Sequence, residues 1–139
     1  SISLFNAEGL TLFYPRVVLV DTAFWLALSR SRDHLHQNAL ASWLHLDAQN
    51  SRFLTTEAVH WKWMNAMASP FKRTFALAAY DRLCEDPLVS ILPFTERLTA
   101  GAMALYRSRP DKQWSLTDCA SFVVMQEYGI NAALASDHH

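Results

Sequence analysis

Asp21, Asp118 and Asp137 each stand where a predicted strand gives way to a helix or loop, beside a hydrophobic run. In a chain that alternates strand and helix, such positions gather at one edge of a parallel sheet, so carboxylates remote in sequence can meet there. Converging carboxylates suit a hard divalent cation, because magnesium takes oxygen ligands, keeps several waters and is seldom enclosed by protein groups alone. Each aspartate also has a plainer reading. Asp21 can cap a helix beginning at Thr22, and Asp118 can favour the positive end of its own helix, worth a few tenths to about 1 kcal/mol. Ser136-Asp137-His138-His139 also reads as a polar turn. Thr22 and Thr117 carry hydroxyls that can orient water or a carboxylate, although capping alone accounts for either.

Other reactive side chains form weaker patterns. His34 with His36, and His138 with His139, lack the i, i+4 spacing of a helical zinc pair, and no cysteine cluster completes a tetrahedral site. They read as surface histidines. Cys84 and Cys119 fall among apolar neighbours in predicted helices, as reduced core thiols do, rather than forming a secreted disulfide framework. Trp25, Trp43, Trp61, Trp63 and Trp114 can stack on bases, but large aromatics at helical spacing more often fill cores or interfaces. Of the 12 basic residues, Arg30, Arg32, Arg52, Arg73, Arg107, Arg109 and Lys112 are the candidates for contacting phosphate if the ligand is a nucleic acid. Arg107, Arg109 and Lys112 are the best placed, since their loop leads directly to Asp118.

The elements that must position these groups follow from patterning. With 139 residues, 51% of them hydrophobic, the chain supports one sizeable core and one domain. Twelve basic against 13 acidic residues leave a net charge of -1, so there is no global basic field, although a local basic groove remains compatible. No apolar run approaches the roughly 20 residues that span a bilayer, and a cytoplasmic protein is expected. Residues 1–15 read as an N-terminal extension or expression remnant, and the domain proper as residues 16–139. Val17-Val18-Leu19-Val20 has the unbroken apolar, β-branched composition of a strand buried on both faces. Helices are predicted over 22–29, 34–47, 56–68, 71–84, 95–107 and 115–128, and strands over 52–55, 88–92 and 132–135. Pro70, Asp86-Pro87 and Gly129 punctuate them.

Four stretches carry a family resemblance: Val-Leu-Val-Asp21-Thr22; Leu-Thr-Thr-Glu57-Ala-Val-His-Trp-Lys62-Trp-Met-Asn65-Ala; Asp111-Lys-Gln-Trp-Ser-Leu-Thr117-Asp118-Cys; and Leu-Ala-Ser-Asp137-His-His. In order and spacing the chain resembles a PIN domain, particularly the VapC-like ribonucleases of toxin–antitoxin pairs. The resemblance implies an α/β fold of three layers, α/β/α, with a central parallel sheet of four to five strands. It further implies an acidic pocket in which Asp21, Asp118 and Asp137 hold Mg²⁺ or Mn²⁺. Thr22, Thr117 and Asn65 would support that pocket. The implied reaction is hydrolysis of RNA, and the implied partners are an antitoxin protein and a second copy in a homodimer.

At one point the chain departs from this pattern. Where similar proteins carry a metal-site glutamate, this sequence has Lys62, and the acidic residue present is Glu57. Five residues turn a helix by about 140°, so Glu57 cannot simply replace the missing ligand, though it can approach the pocket from the helix start. An ammonium in place of a carboxylate changes the local charge by two units and supplies a counter-ion for Asp21 or Asp118. The expectation is therefore an endoribonuclease weakened or inactivated by Lys62. The alternatives are a catalytically silent PIN scaffold that binds RNA or protein and, ranked far lower, a phosphate-accepting response-regulator-like domain.

Overall fold

The structure is a computed structural model and describes residues 2–6, 16–32 and 34–136. Five strands form one sheet in the order β1-β5-β2-β3-β4. They are β1 (Ile2–Asn6), β2 (Val17–Val20), β3 (Arg52–Thr56), β4 (Val89–Leu92) and β5 (Ala132–Ser136). β5, β2, β3 and β4 run parallel, whereas β1 pairs antiparallel with β5, Ile2 facing Ser136 and Asn6 facing Ala132. Six helices among the described residues flank this sheet: α1 (Thr22–Ser29), α2 (His36–Ala48), α3 (Glu57–Ala66), α4 (Pro70–Glu85), α5 (Glu96–Ser108) and α6 (Leu116–Tyr128). The expected three-layer α/β/α arrangement is thus present. The stretch expected to be an extension contributes the edge strand β1, and Asp33 and residues 137–139 lie outside the described residues.

The central position of β2 explains its composition. Val18 and Val20 enter one apolar cluster while Leu19 enters the other, as alternating side chains of a strand must. Phe53 and Leu54 divide in the same way on β3. The first cluster is rich in rings: Trp25 stacks on Trp63 at 5.7 Å, and Trp43 on Phe53 at 3.8 Å between centroids. Trp63 Nε1 also donates to Ser29 Oγ at 3.0 Å, so its one polar atom is satisfied inside the core. The second cluster packs α5 and α6 over the opposite face through Leu98, Ala102, Cys119 and Val124.

Local chemistry sets the helix starts. Pro70 does not merely interrupt a helix but opens α4 at its first turn, where a missing N–H is harmless. Thr56 closes β3 and caps α3 by accepting from Val59 N at 3.1 Å. Thr95 does the same for α5, accepting from Leu98 N at 3.0 Å. Gly129 ends α6 with φ of 64°, a left-handed conformation that glycine adopts without a Cβ penalty.

Some expected placements differ. Cys84 is exposed, and only Cys119 is a core thiol. Leu44 of α2 and Tyr106 of α5 are apolar yet 57% and 49% exposed. His36 is half-buried rather than on the surface, and its Nδ1 donates to Ala27 O at 2.8 Å.

Candidate active site

Asp21 follows the last residue of β2 and is held there by three elements. Its N–H donates to Leu134 O of β5 at 3.0 Å. Thr55 Oγ1 of β3 donates to Val20 O at 3.0 Å, and Trp25 Nε1 of α1 donates to that same hydroxyl oxygen at 3.3 Å. The side chain of Asp21 then caps α1, with Oδ1 accepting from Thr22 N at 2.8 Å. The plainer capping role is therefore real. It does not exhaust the residue, because burial pushes the Asp21 carboxyl above its usual range, against the pull of the Thr22 N–H. The neighbouring Asp118 charge pushes it further up, and Lys62 pulls it down. Two of the expected aspartates and the substituted lysine thus share one electrostatic neighbourhood.

Asp118 reaches this place from α6 through a reciprocal cap. Its Oδ2 accepts from Ser115 N at 2.9 Å, while Ser115 Oγ accepts from Asp118 N at 3.0 Å. Lys62 Nζ, projecting from α3, donates to Ser115 Oγ at 3.4 Å. Ser115 is therefore the residue that sequence reasoning passed over. Its signal was visible as a Ser-x-x-acidic capping pattern, but nothing in one sequence placed Lys62 against it.

Thr22 is buried, and its Oγ1 has no hydrogen-bond partner, which is costly for a buried hydroxyl. Thr117 is half-buried beside Asp118, and Asn65 is exposed one turn beyond Lys62. Glu57 Oε1 accepts from Phe94 N at 2.8 Å, which ties the start of α3 to the segment before α5. Asp137 lies outside the described residues. Among the described residues no three histidine, cysteine or acidic side chains converge on one point.

Beside this neighbourhood opens a cleft of about 690 Å³ whose lining includes Tyr106, Arg107, Arg109, Lys112, Trp114 and Ser115. Arg109 forms a two-pronged ion pair with Asp111, both contacts 3.0 Å, which holds the Asp111 carboxyl down at about 2. The Arg109 guanidinium and the Lys112 ammonium stand 5.4 and 5.8 Å from the centre of the Trp114 ring. All three expected phosphate-contact residues therefore belong to one cleft. Of the remaining candidates, Arg30 Nε donates to Met67 Sδ at 3.4 Å and Arg73 Nη2 to Ala68 O at 2.7 Å. Arg52 opens β3, at the opposite end of that strand from Thr56, where α3 begins.

The profile of the PIN domain family matches residues 18–139. The chain belongs to the PIN domain family. Its members are ribonucleases, and the match, which begins within β2, includes both Asp21 and Asp118. Among solved structures, the Mycobacterium tuberculosis VapC20, a sarcin-ricin loop cleaving toxin, is similar in fold. The TM-score is 0.70 at 24% identity, over 81% of this chain and 84% of that one. No curated protein sequence matches significantly.

PIN nucleases generally use divalent metals, and the residues around Asp21 fit such an ion. Both described donors are carboxylates, the ligand type that Mg²⁺ and Mn²⁺ take. Burial and a like charge already penalise Asp21 as an anion, a penalty that a nearby cation relieves. The buried Thr22 Oγ1 is a further oxygen lacking a partner. Lys62, a cation beside these carboxylates, opposes the fit.

Proposed function

We propose that this chain is a metal-dependent endoribonuclease, the toxin of a toxin–antitoxin pair, with its activity depressed by Lys62. The observation that carries the proposal is that Asp21, at the carboxyl end of β2 in a PIN fold, lies close enough to Asp118 to feel its charge. Asp21 and Asp118, joined by Asp137 as the family resemblance implies, would hold Mg²⁺ or Mn²⁺, which would lower the pKa of a bound water and offset charge developing on the phosphodiester. Asp21 is fixed by its Leu134 and Thr22 contacts, and Asp118 by its reciprocal cap with Ser115, so both carboxylates are oriented before substrate arrives. Thr22 Oγ1 and Thr117 Oγ1 orient water beside them. Arg107, Arg109 and Lys112 hold backbone phosphate, which positions RNA without reading its sequence.

The fold likeness to a toxin that cleaves an RNA loop supports an RNA substrate and an antitoxin partner. Exposed Trp61, Phe94, Phe71 and Phe75 supply apolar surface for that partner or for a homodimer. A catalytically silent PIN scaffold is the second reading, favoured by the bond from Lys62 to Ser115, which places a cation where a metal would compete.

The test compares cleavage of structured transfer and messenger RNAs by the parent chain and Lys62→Glu in Mg²⁺ or Mn²⁺, with and without chelator. Expected is chelator-sensitive cleavage, faster in Lys62→Glu and absent in Asp118→Asn. Cleavage that persists in chelator, or in Asp118→Asn, refutes the proposal. RNA retained without cleavage even by Lys62→Glu selects the silent scaffold.

A further inference from the structure

The cleft between α5 and the start of α6 has more than the charge needed to hold a phosphate backbone. Its wall carries an indole: Trp114 is half-buried, its ring anchored edge-on against Phe122 at 4.9 Å. Arg109 lies over that ring and is ion-paired with Asp111, so guanidinium and indole are neighbours in the cleft. Tyr106 adds a second ring to the lining and is 49% exposed. A cleft that pairs aromatic rings with cations suits an unstacked base attached to a phosphate. An acidic peptide would use the cations but gives the rings no comparable planar partner.

Ser115 connects this cleft to the candidate active site. It lines the cleft, accepts from Lys62 Nζ and exchanges hydrogen bonds with Asp118. A chain threaded past Ser115 therefore has one end beside Asp118 and Asp21 and the other beside Trp114.

We propose that Trp114, with Tyr106 and Lys112, forms a subsite for a single-stranded nucleotide flanking the scissile phosphodiester, the base stacking on Trp114 and its phosphate meeting Lys112. The inference rests on the ribonuclease reading for its substrate, but not on metal or turnover. Paired bases remain within their duplex and cannot reach the ring, so the subsite selects unpaired RNA. Because every base has a stacking face, it does so with little preference for sequence.

The experiment is metal-free binding, in chelator, of a fluorescein-labelled single-stranded oligoribonucleotide and of its duplex, read by anisotropy. Trp114→Ala is expected to weaken single-strand binding roughly tenfold and to leave duplex binding unchanged, while Trp114→Phe keeps most of the affinity. Lys112→Ala weakens both ligands and lowers the salt-dependence slope by about one. Because Trp114 packs on Phe122, a second measurement leaves the protein intact. An abasic site walked along the oligonucleotide should reduce affinity for the parent chain at one position, and much less for Trp114→Ala. Equal single-strand affinity in parent and Trp114→Ala, equal loss for single strand and duplex, or no position sensitive to base removal overturns the subsite. Chelator-sensitive cleavage accompanied by any of these results leaves the nuclease reading standing while this one fails. Trp114-dependent single-strand binding without cleavage does the reverse.

Discussion

Replacing Lys62 should strengthen divalent-metal binding by an amount set mainly by charge. The ammonium is exposed and donates to Ser115 Oγ, while Asp118 exchanges hydrogen bonds with the same serine. A cation held by Asp118 and Asp21 would therefore sit within a few ångströms of Nζ. For a divalent ion about 6 Å from a unit charge in a water-like dielectric, the interaction is about 1.4 kcal/mol, or roughly tenfold in affinity. Lys62→Gln removes one unfavourable charge and should tighten Mn²⁺ binding about tenfold. Lys62→Glu reverses it and should tighten binding about a hundredfold, before any direct ligation. Titration calorimetry with Mn²⁺ at about 0.1 M salt keeps the charges within one screening length. Lys72→Glu, on an exposed position of α4, is the control with the same change in net charge, and it should shift affinity by less than about twofold. Mn²⁺ affinities that are equal in the parent, Lys62→Gln and Lys62→Glu refute the reasoning.

Asp21→Asn should raise stability while abolishing metal binding. The Asp21 pKa is raised in the folded state, mainly by burial, so folding becomes less favourable as pH rises from about 3.9 through the folded value. The variant should be about 0.5–1 kcal/mol more stable than the parent at pH 7, with the difference vanishing near pH 3. Equal denaturation midpoints at pH 7 would contradict it. Ser115→Ala removes the cap of α6 and should cost about 1 kcal/mol; if Ser115 also orients Asp118, Mn²⁺ affinity falls with it, which calorimetry on the folded variant reads. Trp63→Ala empties a fully buried ring site stacked on Trp25 and should cost about 3–5 kcal/mol, measurable by chemical denaturation. A loss below about 1 kcal/mol would show that the ring cluster repacks.

The fold was largely legible because its signals are local. A short, β-branched, unbroken apolar run suits a strand covered on both faces, and Val17–Val20 is the central strand β2. Thr95, Ser115 and Gly129 act on their own helices through bonds a few residues long, so one sequence suffices to place them. The edge strand β1 has no such local signal, because it depends on a partner, β5, at the far end of the chain. The exposure of Leu44 and Tyr106 is not legible in the same way, because a helical stripe says which side is apolar, not how much of it a neighbour covers.

At the candidate site the sequence by itself determined the inventory: which carboxylates follow strands or open helices, and that a lysine stands at position 62 where a glutamate is usual. Only the tertiary structure decided who acts on whom. Asp21 feels Asp118 because β2 lies beside β5 and α6 packs onto the same sheet, and Lys62 meets Ser115 because α3 and α6 touch. Charge and hydrogen bonding fall off over a few ångströms, and separations on that scale between residues 53 or more positions apart are set by packing, which no local pattern encodes.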